Sequence, residues 1–102
     1  MIEHIVLFRF KSDTKPELLH EIIQELRALK TKVPSVLDLT AGHNFCERSQ
    51  GFEHALVVRF ADKHGLDAYQ VHPEHQRVVK DWIRPNLDQL IAVDYEIEGL
   101  KA

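Results

Sequence analysis

The sequence is poor in cysteine, glycine and proline. It has one cysteine, Cys46, four glycines and four prolines among 102 residues. An internal disulfide is therefore impossible, and the chain belongs to neither the disulfide-rich nor the low-complexity class. It has no signal-peptide pattern and no long apolar span, so we expect a cytoplasmic protein without a membrane partner. With 44% hydrophobic and 28% charged residues, its stability must come from packing.

Positive charge is scarce as well. The chain has 13 Lys and Arg residues against 16 Asp and Glu residues, a formal net charge of −3, and no basic block interleaved with aromatic residues. Nucleic-acid binding at physiological salt depends on many phosphate contacts from Lys and Arg. Nucleic acid is therefore not an expected partner.

The chain does contain an internal repeat. The segment EHIVLFRF at 3–10 returns fifty residues later as EHALVVRF at 53–60, with four of eight positions identical. A helical pattern follows each copy, which is typical of two stacked β-α-β units. We therefore predict one α+β domain over residues 1–102, a ferredoxin-like β-α-β-β-α-β fold with an antiparallel four-stranded sheet and helices on one face.

Apolar residues at helical spacing predict the first helix between the two copies. Thr14 and Glu17 have the spacing of a capping box, and Pro16 suits the first helical turn. Pro34 disfavours continuation of the helix beyond Val33. Alternating side chains then predict a strand over 36–45.

The second half repeats this order with a shorter helix. Asp62 is expected to cap that helix, and Pro73 to interrupt it. A further helical stretch is predicted toward Pro85, and the alternation over 91–98 predicts the last strand.

Both copies of the repeat carry apolar side chains on both faces of the strand. A strand buried on both sides needs two cover layers, whereas one domain of this length has helices for only one. We therefore expect a homodimer that forms through the open face of the sheet. On that face Arg9 and Arg59 are expected to pair with Asp38, Asp94 or Glu96.

Several short motifs follow one another in a recognisable order: His4 on the first strand, His54 within GFEHA, YQVHPEH at 69–75, and VDY at 93–95. By these motifs the chain resembles the stress-responsive dimeric A/B barrel (Dabb) domain family over residues 2–98. The resemblance implies two ferredoxin-like subunits whose sheets pair into a dimeric α/β barrel. Many members of that family have no assigned activity.

One plant member of the family is a polyketide cyclase that closes a linear tetraketide by aldol chemistry in a pocket between sheet and helices. The resemblance implies Tyr69 and His75 as the catalytic residues here, with His4 and His54 in the pocket. The bulky aromatic residues on that enzyme's first helix are replaced by apolar residues of other shapes, which are Ile22, Ile23 and Leu26. A substrate, if there is one, should therefore differ.

The same residues support a chemical argument of their own. His4 and His54 occupy equivalent places in the two repeats, so we expect their side chains to emerge close together on one face, where Tyr69 and His75 can converge on them. Imidazole gives or takes a proton near neutral pH, and a phenol can hold an oxygen whose charge changes. The hypothesis is a proton-transfer pocket for a small apolar or carbonyl-bearing molecule.

Structural roles are the alternative for each of these side chains. The histidines can be hydrogen-bonded core residues, Tyr69 a packing residue, and His72 a helix cap. A homodimeric binding module of that kind predicts a pocket filled by side chains. An acid/base enzyme of the cyclase or isomerase type predicts an open cavity of roughly 300 Å³ or more.

We expect neither a metal ion nor a cofactor. His72 and His75 have a spacing that can bring two imidazoles together, but no third ligand or thiolate pair accompanies them. Cys46 has no assignable base, so nucleophilic catalysis is not expected. The segment after His75 differs from the corresponding segment of the cyclase and contains Arg77 and Lys80. An anionic ligand is therefore an alternative.

Overall fold

Four antiparallel strands form a sheet in the order β2-β3-β1-β4. The computed structural model describes residues 1–99, so the last three residues of the predicted 1–102 domain lie outside the described part of the chain. The elements in chain order are β1 (Ile2–Phe10), α1 (Pro16–Lys32), β2 (Asp38–His43), β3 (His54–Phe60), α2 (Lys63–Val71), α3 (Pro73–Val78), a π-helical turn (Val79–Ile83), a 3-10 turn (Arg84–Asn86) and β4 (Leu87–Glu96). This is the predicted ferredoxin-like order.

The core lies between the sheet and the helices. Alternate residues of β1 are buried on the helix side, because side chains of a strand point to opposite faces in turn. The helices complete this layer with side chains that are at most 3% exposed, among them Ile22, Leu26, Leu29 and Tyr69. Burying each such side chain stabilises the fold by about 1.5–3 kcal/mol.

The predicted capping box at the start of α1 is wrong. Lys15 is the N-cap residue and makes no side-chain cap hydrogen bond. Thr14 lies one position before this N-cap, where its backbone N–H donates to the Lys11 carbonyl at 3.0 Å. The helix nevertheless begins at Pro16 and ends at Lys32, before the residue that precedes Pro34.

The cap predicted for α2 is confirmed, since the Asp62 carboxylate accepts a hydrogen bond from the Gly65 N–H at 2.9 Å. The structural alternative for His72 was the cap of a helix end. Its Nδ1 instead accepts from the Glu74 N–H at 3.1 Å, so its side chain caps the start of α3.

Two strands have other bounds than the sequence predicts. β2 is shorter than 36–45, because Asn44 leaves the ladder and its side chain donates to the Phe52 carbonyl at 2.8 Å. β4 begins at Leu87 rather than near Ile91, because it pairs with β1 as far as Phe10.

The predicted partners of the two sheet arginines need correction. Arg59 bonds Glu3 at 2.8 Å and Arg9 bonds Asp88 at 2.9 Å. Asp38, although opposite Arg59, bonds Lys30 at 3.1 Å.

Asp94 and Glu96 fail as partners of those arginines for a different reason. They lie opposite His4 and Ile2, which places their side chains on the helix side of the sheet. Within residues 1–99, no helix combines the length and apolar character that crossing a membrane requires. The cytoplasmic location stays a prediction.

Candidate active site

A cavity of about 330 Å³ lies between the sheet and the helices. Its walls come from β1, β3, β4, all three α-helices and the turns before β4, and they are largely apolar. The residues that line it are His4, Val6, Phe8, Leu26, Leu56, Tyr69, His75, Val79, Ile83, Arg84, Leu87 and Leu90. Three polar side chains of the predicted site, His4, Tyr69 and His75, therefore share one apolar chamber. We call this chamber the helix-side cavity.

Tyr69 is the central ring of this group. It is fully buried, and its ring centroid lies 4.4 Å from that of His75 and 6.1 Å from that of His4. Its hydroxyl is buried and has no hydrogen-bond partner in the described part of the chain. Leaving such a group unpaired costs about 1–3 kcal/mol. Burial also raises the pKa of Tyr69, so the hydroxyl stays protonated and can donate to an acceptor placed in the cavity.

His75 is held in one tautomer by the backbone. Its Nδ1 lies 3.1 Å from the Gln70 carbonyl oxygen, which can only accept, so Nδ1 carries the hydrogen. In the neutral ring Nε2 is then the acceptor. Burial lowers the pKa of His75 most, the Gln70 hydrogen bond opposes that shift, and the nearby imidazoles of His4 and His72 add to it. His75 is thus a neutral base near pH 7.

His4 is fixed by a carboxylate. Its ring is buried, and Nδ1 donates a hydrogen bond to Asp94 from the neighbouring strand β4. This pairing orients the imidazole, as a carboxylate does for a functional histidine. The remaining nitrogen, Nε2, is the acceptor when the ring is neutral.

The prediction that His4 and His54 emerge close together is wrong. The two repeat copies pair antiparallel, so His4 lies opposite Val58 and His54 lies opposite Phe8, at the other end of the strands. In this antiparallel pair only the equivalent positions at the middle of the copies, Val6 and Leu56, lie opposite each other, and equivalent positions toward the strand ends are separated.

His54 belongs to a separate groove on the same side. Its ring lies 5.5 Å from that of Phe10 and 5.5 Å from that of His43. Burial lowers the pKa of His54 most, and the neighbouring His43 adds to the effect. Ile23 lines this groove too, whereas Ile22 is wholly buried in the core. Of the predicted pocket wall, only Leu26 faces the helix-side cavity together with His4, Tyr69 and His75.

Sequence reasoning missed Arg84. It lines the helix-side cavity from the 3-10 turn before β4. The predicted cations behave differently: Arg77 bonds both Glu25 at 2.8 Å and Glu74 at 3.0 Å, and Lys80 does not line the cavity. Helical periodicity carries no signal for Arg84, because the regular helix has already ended there.

Metal ligands do not assemble in the described part of the chain. Within residues 1–99, no three His, Cys, Asp or Glu side chains are placed so that they could hold a metal ion. Cys46 is an exposed free thiol. The polar side-chain groups that line the helix-side cavity are the imidazoles of His4 and His75, the phenol of Tyr69 and the guanidinium of Arg84.

The fold and the cavity define an α+β protein of the ferredoxin-like class. More narrowly, the chain belongs to the stress responsive A/B barrel domain family, whose family model matches residues 2–97. Among curated relatives, it is 36% identical over 96 residues to a stress-response A/B barrel domain-containing protein of Arabidopsis thaliana, covering 93% of this chain. It spans only 36% of that longer relative. It is 27% identical to a second such Arabidopsis protein, At5g22580, over 98% of this chain and 89% of that protein.

Solved structures show the same fold. A dimeric ferredoxin-like protein of unknown function from Thermobifida fusca matches with a TM-score of 0.83 and 27% identity, over 94% of this chain and 90% of that one. The hydroxynitrile lyase of Passiflora edulis matches with a TM-score of 0.87 and 21% identity, over 99% of this chain and 96% of that one. The ferredoxin-like prediction is confirmed.

Proposed function

We propose that this chain is a homodimeric acid/base enzyme that binds a small, mostly apolar carbonyl compound in the helix-side cavity. The proposal is carried by one observation: the unpaired, buried hydroxyl of Tyr69 lies beside the neutral base His75 in the same chamber. The Tyr69 hydroxyl can donate a hydrogen bond, and His75 Nε2 can accept a proton. A compound with an acidic C–H next to its carbonyl group would interact with both.

The reaction follows from these two groups. His75 Nε2 takes a proton from the carbon next to the substrate carbonyl, and the electron pair of that C–H bond moves into the enolate. The Tyr69 hydroxyl donates a hydrogen bond to the oxygen on which negative charge develops. The protonated His75 then returns its proton to the same or another carbon. His4, oriented by Asp94, is placed to hold a second polar group of the substrate.

The alternative of purely structural histidines predicts a pocket filled by side chains. The chamber of about 330 Å³ has the size of a small-molecule pocket, which begins at roughly 300 Å³. It favours the enzyme because His4, Tyr69 and His75 line it together. The Passiflora edulis protein is named as a lyase. Its similarity supports the enzyme proposal only by indicating that a protein of this fold can be an enzyme.

The proposal includes a second copy of this chain on the helix-free face of the sheet. Ile91, Val93 and Tyr95 of β4 are 45–48% exposed there, next to Ile5 and Leu7 of β1. Apolar patches of this kind mark interaction sites. The Thermobifida fusca protein, which is described as dimeric, supports a second copy as the occupant.

The test has two stages. A thermal-shift screen of small aromatic and polyketide-like ketones against the wild type first selects a ligand, because binding to the folded state raises its stability. Proton NMR in D2O then measures exchange of the protons next to the ligand's carbonyl. We expect the wild type to accelerate exchange and His75→Ala to lose about 100-fold or more of that rate.

His64→Ala is the matched control, since His64 is an exposed histidine of α2 that does not line the cavity. It should exchange the protons as fast as the wild type. If no ketone stabilises the wild type, or if His75→Ala retains the full rate, the proposed function is wrong.

A further inference from the structure

We propose that Arg84 binds a carboxylate of the substrate, so that the helix-side cavity takes elongated carbonyl compounds with a terminal acid group. This inference rests on the proposed function and adds the class of substrate. Arg84 is the one Lys or Arg among the described residues that line the cavity, and none of these lining residues is Asp or Glu.

The guanidinium of Arg84 forms neither a hydrogen bond nor an ion pair within residues 1–99, whereas the backbone N–H of Arg84 donates to the Val79 carbonyl. The other arginines of the sheet and helices are engaged: Arg9 with Asp88, Arg27 with the Ala41 carbonyl, Arg59 with Glu3, and Arg77 with Glu25 and Glu74. A guanidinium at the rim of an apolar cavity attracts an anion, and its planar fork matches the two oxygens of a carboxylate.

The backbone that carries Arg84 is anchored on both sides. Asn86 donates its side-chain amide to the Trp82 carbonyl at 2.9 Å, and its own carbonyl accepts from the Lys11 N–H at 2.8 Å. The Lys11 ammonium group also donates to the Pro85 carbonyl at 3.1 Å, which brings a second positive charge close to the turn. The turn thus presents Arg84 from a fixed position, as a specificity-determining residue requires.

The position of Arg84 also indicates the shape of the substrate. Leu87 and Leu90, which follow Arg84, lie opposite Phe10 and Phe8 of β1, whereas Asp94 lies opposite His4. Leu90 and the His4 end of the cavity are therefore about four strand residues apart, or about 13 Å, and Leu87 lies further along β4 toward Arg84. A ligand that reaches both ends has its reactive carbonyl near Tyr69 and His75 and its acid group several carbons away.

Two probes of nearly the same shape, one charged and one neutral, test this inference. They are 5-oxo-5-phenylpentanoate, an aryl ketone with a terminal carboxylate, and the corresponding primary amide. Isothermal titration gives the Kd of each probe, and proton NMR in D2O gives exchange next to the ketone. We expect the wild type to bind the acid about tenfold more tightly than the amide, with a preference that falls as salt rises.

Arg84→Gln should bring the ratio of the two Kd values close to one, and Arg84→Lys should restore part of the preference. Arg48→Gln is the matched control, because Arg48 is exposed in the loop before β3 and does not line the cavity; it should keep the wild-type ratio. A wild-type ratio near one, or a preference that survives in Arg84→Gln, overturns the role of Arg84.

The proposed function can fail separately from the role of Arg84. If both probes bind but His75→Ala exchanges their protons as fast as the wild type, the acid/base mechanism is wrong while the Kd ratio still decides on Arg84. If neither probe binds the wild type, the role of Arg84 is wrong, and the thermal-shift screen of other ketones still decides on the proposed function. If exchange depends on His75 and the Kd ratio depends on Arg84, both are supported.

Discussion

The rings of Tyr69 and His75 lie 4.4 Å apart although the two residues belong to different helices. In one continuous helix, residues six positions apart are separated by a rise of about 9 Å and by a rotation that places them on different faces. The break at His72 and Pro73 removes this separation, because α3 starts afresh with His72 as its cap. The candidate catalytic pair is thus a product of the helix break.

Loss of that cap should harm both stability and catalysis. His72→Ala removes the acceptor for the Glu74 N–H, and we expect the free energy of unfolding to fall by about 1 kcal/mol. The exchange rate should fall as well, because the start of α3 positions His75. His72→Asn, whose side chain is a good cap, should recover both quantities in urea unfolding and in the NMR assay. Equal losses in the two variants would contradict a capping role.

Removal of the Tyr69 hydroxyl should separate function from stability. The hydroxyl is buried without a partner among residues 1–99, so Tyr69→Phe should leave the free energy of unfolding unchanged or raise it by up to about 1 kcal/mol. The exchange rate should nevertheless fall at least tenfold, because the developing enolate loses its donor. Urea unfolding and proton exchange measured on the same sample check this. A clear loss of stability would indicate that the hydroxyl has a structural partner instead.

The fold could be predicted because its main signal is local. The alternation in the repeated segments and the helical spacing between them follow directly from side-chain geometry, and both appear in β1, β3 and α1. The ends of the helices and strands could be predicted less well from the sequence. Thr14 failed as a cap because a cap depends on one residue of register, which periodicity does not determine.

The candidate site could be predicted only in part. Tyr69 and His75 were found through a motif, and His4 through its strand. His54 was misplaced because equivalent places in the repeat were treated as neighbours, whereas in the predicted antiparallel sheet the two copies run in opposite directions. Arg84 was missed because an exposed arginine beside a proline carries no pattern, and only the folded turn brings it to the cavity.

The pH dependence should follow the base form of His75. Its pKa lies below the ordinary value of 6.5, so the folded state binds fewer protons than the unfolded state between these two pKa values. The contribution of His75 to stability is therefore complete above pH 6.5 and is lost as the pH falls through the lowered pKa. We expect the exchange rate to fall over the same interval, since protonated His75 cannot accept a proton.

Urea unfolding from pH 8 to pH 5 measures the stability change. Burial lowers the pKa of His54 as well, so the loss of stability in acid should be reduced in both His75→Ala and His54→Ala. The loss of proton-exchange activity at acid pH distinguishes His75 from His54. It should persist in His54→Ala with an unchanged midpoint, because His54 does not line the helix-side cavity. A shifted midpoint in that variant would assign the catalytic ionisation elsewhere.

A charge on the helix-free face should separate the proposed dimer. Val93 of the edge strand β4 is 46% exposed on this face, opposite Ile5, and Val93→Glu would place a carboxylate where the second copy buries apolar surface. Sedimentation velocity at micromolar concentration should show a dimer for the wild type and a monomer for the variant. Val71→Glu changes another exposed valine, on α2, and should stay dimeric. A wild type that sediments as a monomer would leave this apolar face open to water and would contradict the homodimer.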